Sequence, residues 1–125
     1  MSKILYVGLG GFLGAIIRYL LTYLTSKNLS NPIPLGTLIS NILGGFFIGF
    51  IISLSIRNHN ISYNLKLFLT TGLMGGLTTF STFSLETITL MEKGSYKLTL
   101  INIALNLSLS FLGVFLGENF VSKIF

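Results

Sequence analysis

Polar side chains recur at helical spacing inside stretches of this sequence that are otherwise apolar. Asn102, Asn106 and Ser110 follow one another every four residues, so on a helix they stack as one polar stripe. Their amides and hydroxyls supply hydrogen-bond donors and acceptors without net charge. Such a stripe can line a path for a solute, and its alternative role is hydrogen bonding between helices.

A second stripe precedes the first along the chain. Thr82 and Glu86 follow Thr79 at offsets of three and seven residues, and Phe80 and Phe83 lie one helical turn apart beside them. Aromatic ring edges carry partial positive charge. A single polar residue of this kind is best interpreted as a helix-to-helix hydrogen bond, whereas two aligned stripes favour a narrow passage.

Three further polar side chains fall inside apolar runs: Arg18, Asn41 and Glu86. An ionisable or amide group at membrane depth is costly and is by default a hypothesis of function. Each has an alternative: Arg18 can extend its charge to the interface, Asn41 can hold two helices together for about 1 kcal/mol, and Glu86 can face a wet vestibule.

Enzymatic chemistry is disfavoured by what the chain lacks. It has one His, no Cys and three acidic residues, and no two of the acids are spaced to share proton transfer. The lone His59 falls in a polar loop and receives no role.

The elements that must position these residues are membrane helices. Of the 125 residues, 51% are hydrophobic and 9% charged, against about 25% charged in soluble domains. Each apolar run is close to the roughly 20 residues that cross a bilayer as a helix. The sequence therefore predicts an all-α membrane protein, one domain over 1–125, with four transmembrane helices at about 4–25, 33–56, 67–91 and 98–117.

The first run is expected to be a retained helix, because Arg18 interrupts it and no small-residue cleavage motif follows. With four spans, both termini are expected on one side of the membrane. The net charge of +5 is scattered between the apolar runs. It therefore indicates membrane-flanking charge, and no nucleic-acid partner is expected.

The third run contains a predicted break. Gly72, Gly75 and Gly76 precede a run of threonines, a combination that weakens a helix near its middle. Non-helical backbone at membrane depth persists only when it is buried in protein or lines a cavity. Its carbonyls can coordinate a small cation, and the new helix N-terminus favours anions. These properties are typical of an ion channel.

The balance of basic residues bears on orientation in the membrane. Membrane proteins normally carry a clear excess of Lys and Arg on the cytoplasmic side. One side would carry four basic residues, Lys3, Arg57, Lys66 and Lys123. The other side would carry Lys27, Lys93 and Lys97, and also Arg18 if that residue belongs to this end of the first helix. The near-equal count makes dual topology a hypothesis, with a chance balance in a small protein as its alternative.

Three segments together resemble one family. They are GGFLGAIIRY (10–19), GTLISNILGG (36–45) and GLMGGLTTFSTFSLE (72–86), and they are similar to the Fluc, or CrcB-like, fluoride channels. The resemblance implies a passive, highly selective channel in the bacterial inner membrane that exports fluoride from the cytoplasm and relieves its toxicity. It also implies an antiparallel, dual-topology homodimer with two pores and a central structural sodium ion.

The resemblance also assigns roles to residues of the pore. Phe80 and Phe83 would form a phenylalanine box, Asn41 would be the pore asparagine, and Ser81 and Thr82 would supply hydroxyls. The family's fourth-helix track usually begins with Tyr and continues with Ser. Here the corresponding places are taken by Asn102, Asn106 and Ser110, so amides partly replace hydroxyls.

Two further sites follow from the same resemblance. The backbone carbonyls of Gly75 and Thr78 would hold the sodium ion, and Arg18 and Glu86 would belong to a vestibule.

Two other functions remain as alternatives. A small multidrug-type, proton-coupled exporter also has about four helices, but it needs a carboxylate deep in the membrane, and helix one carries Arg18 instead. A non-transporting membrane scaffold would explain the many small residues but neither the break nor the polar stripes.

Overall fold

A computed structural model describes residues 1–29 and 31–125, and every regular element in those ranges is helical. The prediction of an all-α protein is thereby confirmed. Ser30, between the first and second predicted spans, lies outside the described residues. The elements are α1 (Ser2–Asn28), α2 (Leu35–Arg57), α3 (Tyr63–Leu67), a π-helical segment (Phe68–Met74), α4 (Gly75–Leu77), α5 (Phe80–Glu92) and α6 (Tyr96–Ile124).

Among the described residues, α1, α2 and α6 are each long and apolar enough to cross a membrane. The third predicted span is divided. Thr78 and Thr79 have extended backbone angles, with φ and ψ of −79° and 153° for Thr78 and of −152° and 120° for Thr79. The interruption therefore lies after the glycines rather than at them.

The glycines ahead of the break serve helix packing. A Cβ on Gly72 would lie 2.9 Å from Gly10 Cα, and one on Gly76 would lie 3.1 Å from the Ala15 nitrogen. These residues stay helical because α1 packs directly against their backbone, as small residues allow in membrane proteins.

Helices α2 and α6 cross at a second glycine contact, with Gly45 and Gly49 on one helix and Gly113 and Gly117 on the other. A Cβ on Gly45 would lie 2.7 Å from the Ser110 carbonyl oxygen, and one on Gly113 would lie 2.9 Å from that of Ile42. This close approach holds the polar stripe of α6 against α2.

Gly117→Ala is expected to destabilise the protein by about 1 to 3 kcal/mol, the usual cost of overfilling a packed contact. The added methyl would lie 2.8 Å from the Phe50 nitrogen and closer still to the Phe46 carbonyl oxygen. Thermal unfolding in detergent measures the effect. Gly8→Ala is the control, because no atom outside α1's own backbone lies within 4 Å of that position; equal melting temperatures for the two variants would contradict the prediction.

Candidate functional site

Asn41 holds the interrupted backbone between α4 and α5. The Thr79 amide donates to Asn41 Oδ1 at 2.8 Å, and Asn41 Nδ2 donates to the Thr79 carbonyl oxygen at 3.3 Å. One side chain therefore pairs with both backbone groups of Thr79. Because an unpaired backbone group at membrane depth costs several kcal/mol, this pairing stabilises the break.

The Thr79 side chain caps the helix that follows. Its hydroxyl oxygen accepts from the Thr82 amide at 3.2 Å, and the hydroxyls of Thr82 and Ser81 lie 3.1 and 3.4 Å from it. The first N–H groups of any α-helix lack partners within the helix and give that end partial positive charge. The start of α5 at Phe80 can therefore attract an anion.

Three asparagines join α2 to α6 through a continuous series of hydrogen bonds. Asn41 Nδ2 donates to Asn106 Oδ1 at 3.0 Å, and Asn106 Nδ2 donates to Asn102 Oδ1 at 3.1 Å. We call Asn41, Asn106 and Asn102 the amide chain. Asn102 is fully buried and Asn106 nearly so, with 0% and 4% exposed. The structure thus brings the predicted α6 stripe into direct contact with the predicted asparagine of α2.

A groove of about 770 Å³ runs beside the amide chain. The Phe80 and Phe83 rings contribute to its wall, with centroids 5.7 Å apart and planes inclined at 55°. Phe83 is 8% exposed, whereas Phe80 is 76% exposed. Of the predicted site residues, Asn41, Gly75, Thr78, Phe80, Phe83, Asn106 and Ser110 line this groove. The groove contains no Lys, Arg, Asp or Glu among its described lining residues.

Other predicted pore residues lie outside that lining. Ser81 and Thr82 occupy the first turn of α5 beside the Thr79 cap, and Asn102 lies behind Asn106. They reach the groove through hydrogen bonds with its lining residues.

Glu86 and Arg18 lie in different places. Glu86 lines a smaller cavity of about 240 Å³, where Thr37 donates to its Oε1 at 2.8 Å. Arg18 Nε donates to the Gly76 carbonyl oxygen at 3.1 Å, just ahead of the break. Glu86 therefore belongs to a separate polar chamber, whereas Arg18 satisfies a carbonyl left open where α4 ends.

Carbonyl oxygens at the break are available to a cation. Among the described residues, no N–H or hydroxyl donates to the carbonyl of Gly75 or Thr78 across the interruption, as expected where a helix ends. No cluster of three or more His, Cys, Asp or Glu in the described chain could hold a metal. A sodium ion suits carbonyl oxygen ligands, so the two residues fit it, although two carbonyls fill only part of its coordination.

Two threonines that contact site residues were not predicted from the sequence. Thr37 binds Glu86, and the Thr87 hydroxyl accepts from Asn102 Nδ2 at 3.0 Å. For Thr87 the signal was present, because it lies one turn beyond Phe83 on the same helix face. Thr37 also lies one turn before Asn41, but its spacing gave no indication of its partner Glu86 on another helix.

Comparison with known proteins gives consistent results along most of the chain. A family described as "CrcB-like protein, Camphor Resistance (CrcB)" matches residues 5–118. A protein of Clostridium perfringens (strain 13) named "Fluoride-specific ion channel FluC" is 54% identical over 121 residues, covering 97% of this chain and 94% of the relative. Proteins with the same name from Campylobacter fetus (54% identity, 93% and 91% covered) and Shewanella denitrificans (44% identity, 97% of each) are also similar.

Proposed function

The chain belongs to the CrcB-like family, which confirms the resemblance, and from this membership we propose that it is a passive fluoride channel. Its relatives carry the name of fluoride-specific ion channels. The observation that carries the proposal for this chain is the groove, which places neutral amide donors and aromatic rings beside the N-terminus of α5.

The groove addresses the central difficulty of moving a small anion. Removing water from an ion in a low-dielectric interior costs tens of kcal/mol unless other groups replace that water. The Ser110 hydroxyl and the positive ring edges of Phe80 and Phe83 can do so. The N–H groups of Asn41 and Asn106 already donate within the protein, so each would exchange one of those bonds for a bond to the anion. Because none of them is charged, the ion can leave as readily as it enters.

A second copy of the chain would complete the pathway. In one chain the groove is open on one face, so its polar groups and the exposed Phe80 would meet lipid, which cannot satisfy polar groups. The balanced Lys and Arg count supports insertion in both directions. We therefore propose an antiparallel, dual-topology homodimer with two pores.

The sodium ion belongs to the same proposal. Gly75 is exposed in the single chain, as a residue at a dimer interface would be. Its carbonyl and that of Thr78, together with those of a second copy, would hold the ion. Bound there, sodium would neutralise carbonyl dipoles at the break and stabilise the interface.

The proposed setting is the bacterial inner membrane, where the channel would let fluoride leave the cytoplasm down its gradient. The relatives named above are bacterial proteins. The proton-coupled exporter is less well supported, since the carboxylate of Glu86 lies in a cavity apart from the groove.

Fluoride efflux from liposomes tests the function. Purified protein reconstituted into fluoride-loaded vesicles is expected to release fluoride rapidly to an external fluoride electrode once a potassium ionophore balances the charge. Chloride-loaded vesicles, read with a chloride electrode, should release their anion no faster than protein-free vesicles. Absence of rapid fluoride release would exclude the channel.

A further inference from the structure

The amide chain ends at Thr87, which is 8% exposed and does not line the groove. We propose that Thr87 is a positioning residue: it holds the Asn102 amide with its oxygen toward Asn106 and so supports the Asn106 side chain at the groove wall. This inference rests on the proposed function and extends it to a residue behind the pore.

The Thr87 hydroxyl, which has a single hydrogen atom, sets the orientation of the Asn102 amide. A threonine hydroxyl has one proton, and Thr87 donates it to the Phe83 carbonyl oxygen at 2.7 Å. Toward Asn102 the hydroxyl oxygen can then only accept. Asn102 must therefore turn its Nδ2 toward Thr87, at 3.0 Å.

The amides of Asn106 and Asn41 have the matching orientation. With Nδ2 committed to Thr87, Asn102 presents Oδ1 to Asn106 Nδ2 at 3.1 Å, and Asn106 presents Oδ1 to Asn41 Nδ2 at 3.0 Å. At the far end the Thr79 amide, which can only donate, meets Asn41 Oδ1 at 2.8 Å. The oxygen and nitrogen of an amide have nearly the same shape, so only the hydrogen-bond partners distinguish its two orientations. Asn41 and Asn106 each have a backbone partner, the Thr79 amide and the Asn102 carbonyl oxygen at 3.1 Å, whereas the orientation of Asn102 depends on the side chains of Thr87 and Asn106.

The orientation matters for an anion because Asn41 and Asn106 line the groove. In the observed direction Asn106 Oδ1 is occupied by an N–H of Asn41. If Asn102 turned over, its NH₂ group would face that of Asn106, and Asn106 Nδ2 would keep only its bond to the Asn102 backbone carbonyl oxygen, at 3.1 Å. Asn106 would then be free to shift at the groove wall and to loosen its contact with Asn41, and this would disturb the groups beside the anion path.

Removing the Thr87 hydroxyl tests this role. Thr87→Val keeps the side-chain shape, and we expect it to slow fluoride efflux about tenfold, as loss of one buried hydrogen-bond partner implies. Thr87→Ser keeps the hydroxyl and should stay within about threefold of wild type. Thr89→Val is the matched control, because Thr89 makes the same bond to a carbonyl one turn earlier, Leu85 O at 2.8 Å, but lies outside the amide chain.

A double-mutant cycle separates positioning from general packing. In an Asn102→Leu background the path from Thr87 to the groove is already cut, so adding Thr87→Val should change efflux less than about twofold. If Thr87→Val slows efflux equally in both backgrounds, or if Thr87→Ser is as slow as Thr87→Val, the positioning role is wrong.

A measurement without fluoride keeps the inference separate from the proposed function. In protein labelled with ¹⁵N-asparagine, Thr87→Val should shift the side-chain NH₂ resonances of Asn102 and Asn106, and Thr89→Val should leave them in place. Should Thr87→Val fail to fold, Thr87→Cys replaces it, because a thiol accepts hydrogen bonds weakly. If the Asn102 and Asn106 resonances do not shift in the Thr87 variant, the positioning role is wrong, even if the wild-type protein releases fluoride. If the wild-type protein releases no fluoride, the proposed channel function is wrong, even if the resonances shift.

Discussion

Asn41→Asp is expected to reduce fluoride efflux about a thousandfold. A negative charge some 4 Å from the anion costs about 4 kcal/mol at an effective dielectric constant near 20, and each 1.4 kcal/mol is about tenfold in rate. The change also replaces the Asn41 Nδ2 donor with an oxygen, which would face Asn106 Oδ1 and the Thr79 carbonyl oxygen. The liposome assay measures the rate.

A second asparagine provides the control for Asn41→Asp. Asn119 Nδ2 also donates to a backbone carbonyl, Phe115 O at 2.8 Å, but lies outside the groove. Asn119→Asp adds the same charge and should leave efflux within about twofold of wild type. Efflux by Asn41→Asp at the rate of Asn119→Asp would show that the anion does not pass Asn41.

Phe83→Ile is expected to slow fluoride efflux about a hundredfold, equivalent to about 2.7 kcal/mol of lost stabilisation of the moving anion. Isoleucine is apolar and fills part of the same space, but it has no ring edge to turn toward negative charge. Phe83 is 8% exposed and lines the groove beside Phe80, so its ring is held in place by neighbouring side chains.

The matched control for Phe83→Ile is Phe12→Ile on α1, where the ring is 64% exposed and lies outside the groove. It should conduct as wild type does. The melting temperature and gel-filtration profile of both variants separate loss of conduction from loss of fold. Unchanged efflux in a folded Phe83→Ile protein would mean that the ring serves packing alone.

Side-chain periodicity and composition determined the general architecture of this protein. Apolar runs of roughly 20 residues with few charges inside them favour helices over barrel strands, which cross a bilayer in about 9 to 11 residues. Within a helix every backbone group can bond inside its own segment. The four-residue spacing of Asn102 and Asn106 likewise determined that they share a helix face. Three short segments also predicted the family to which the chain belongs.

The position of the break depended on packing between helices. The sequence predicted the break within Gly72 to Thr78, since glycine and β-branched threonine both weaken helices. In the structure the backbones of Gly72 and Gly76 are held helical against α1. The extended residues are Thr78 and Thr79, and Thr79 is paired with Asn41. A glycine can serve flexibility or close approach, and only its neighbour in space decides between them.

The partners of the polar residues were decided by the tertiary structure alone. Nothing along the chain indicates that Glu86 meets Thr37 or that Thr87 meets Asn102, because residues on different helices meet according to helix rotation and register. Those depend on the glycine contacts between α2 and α6 and between α1 and the third span. Residue types and spacing thus predicted a set of polar and aromatic side chains for the site, and the packing of the helices placed some of them at the groove and others behind it.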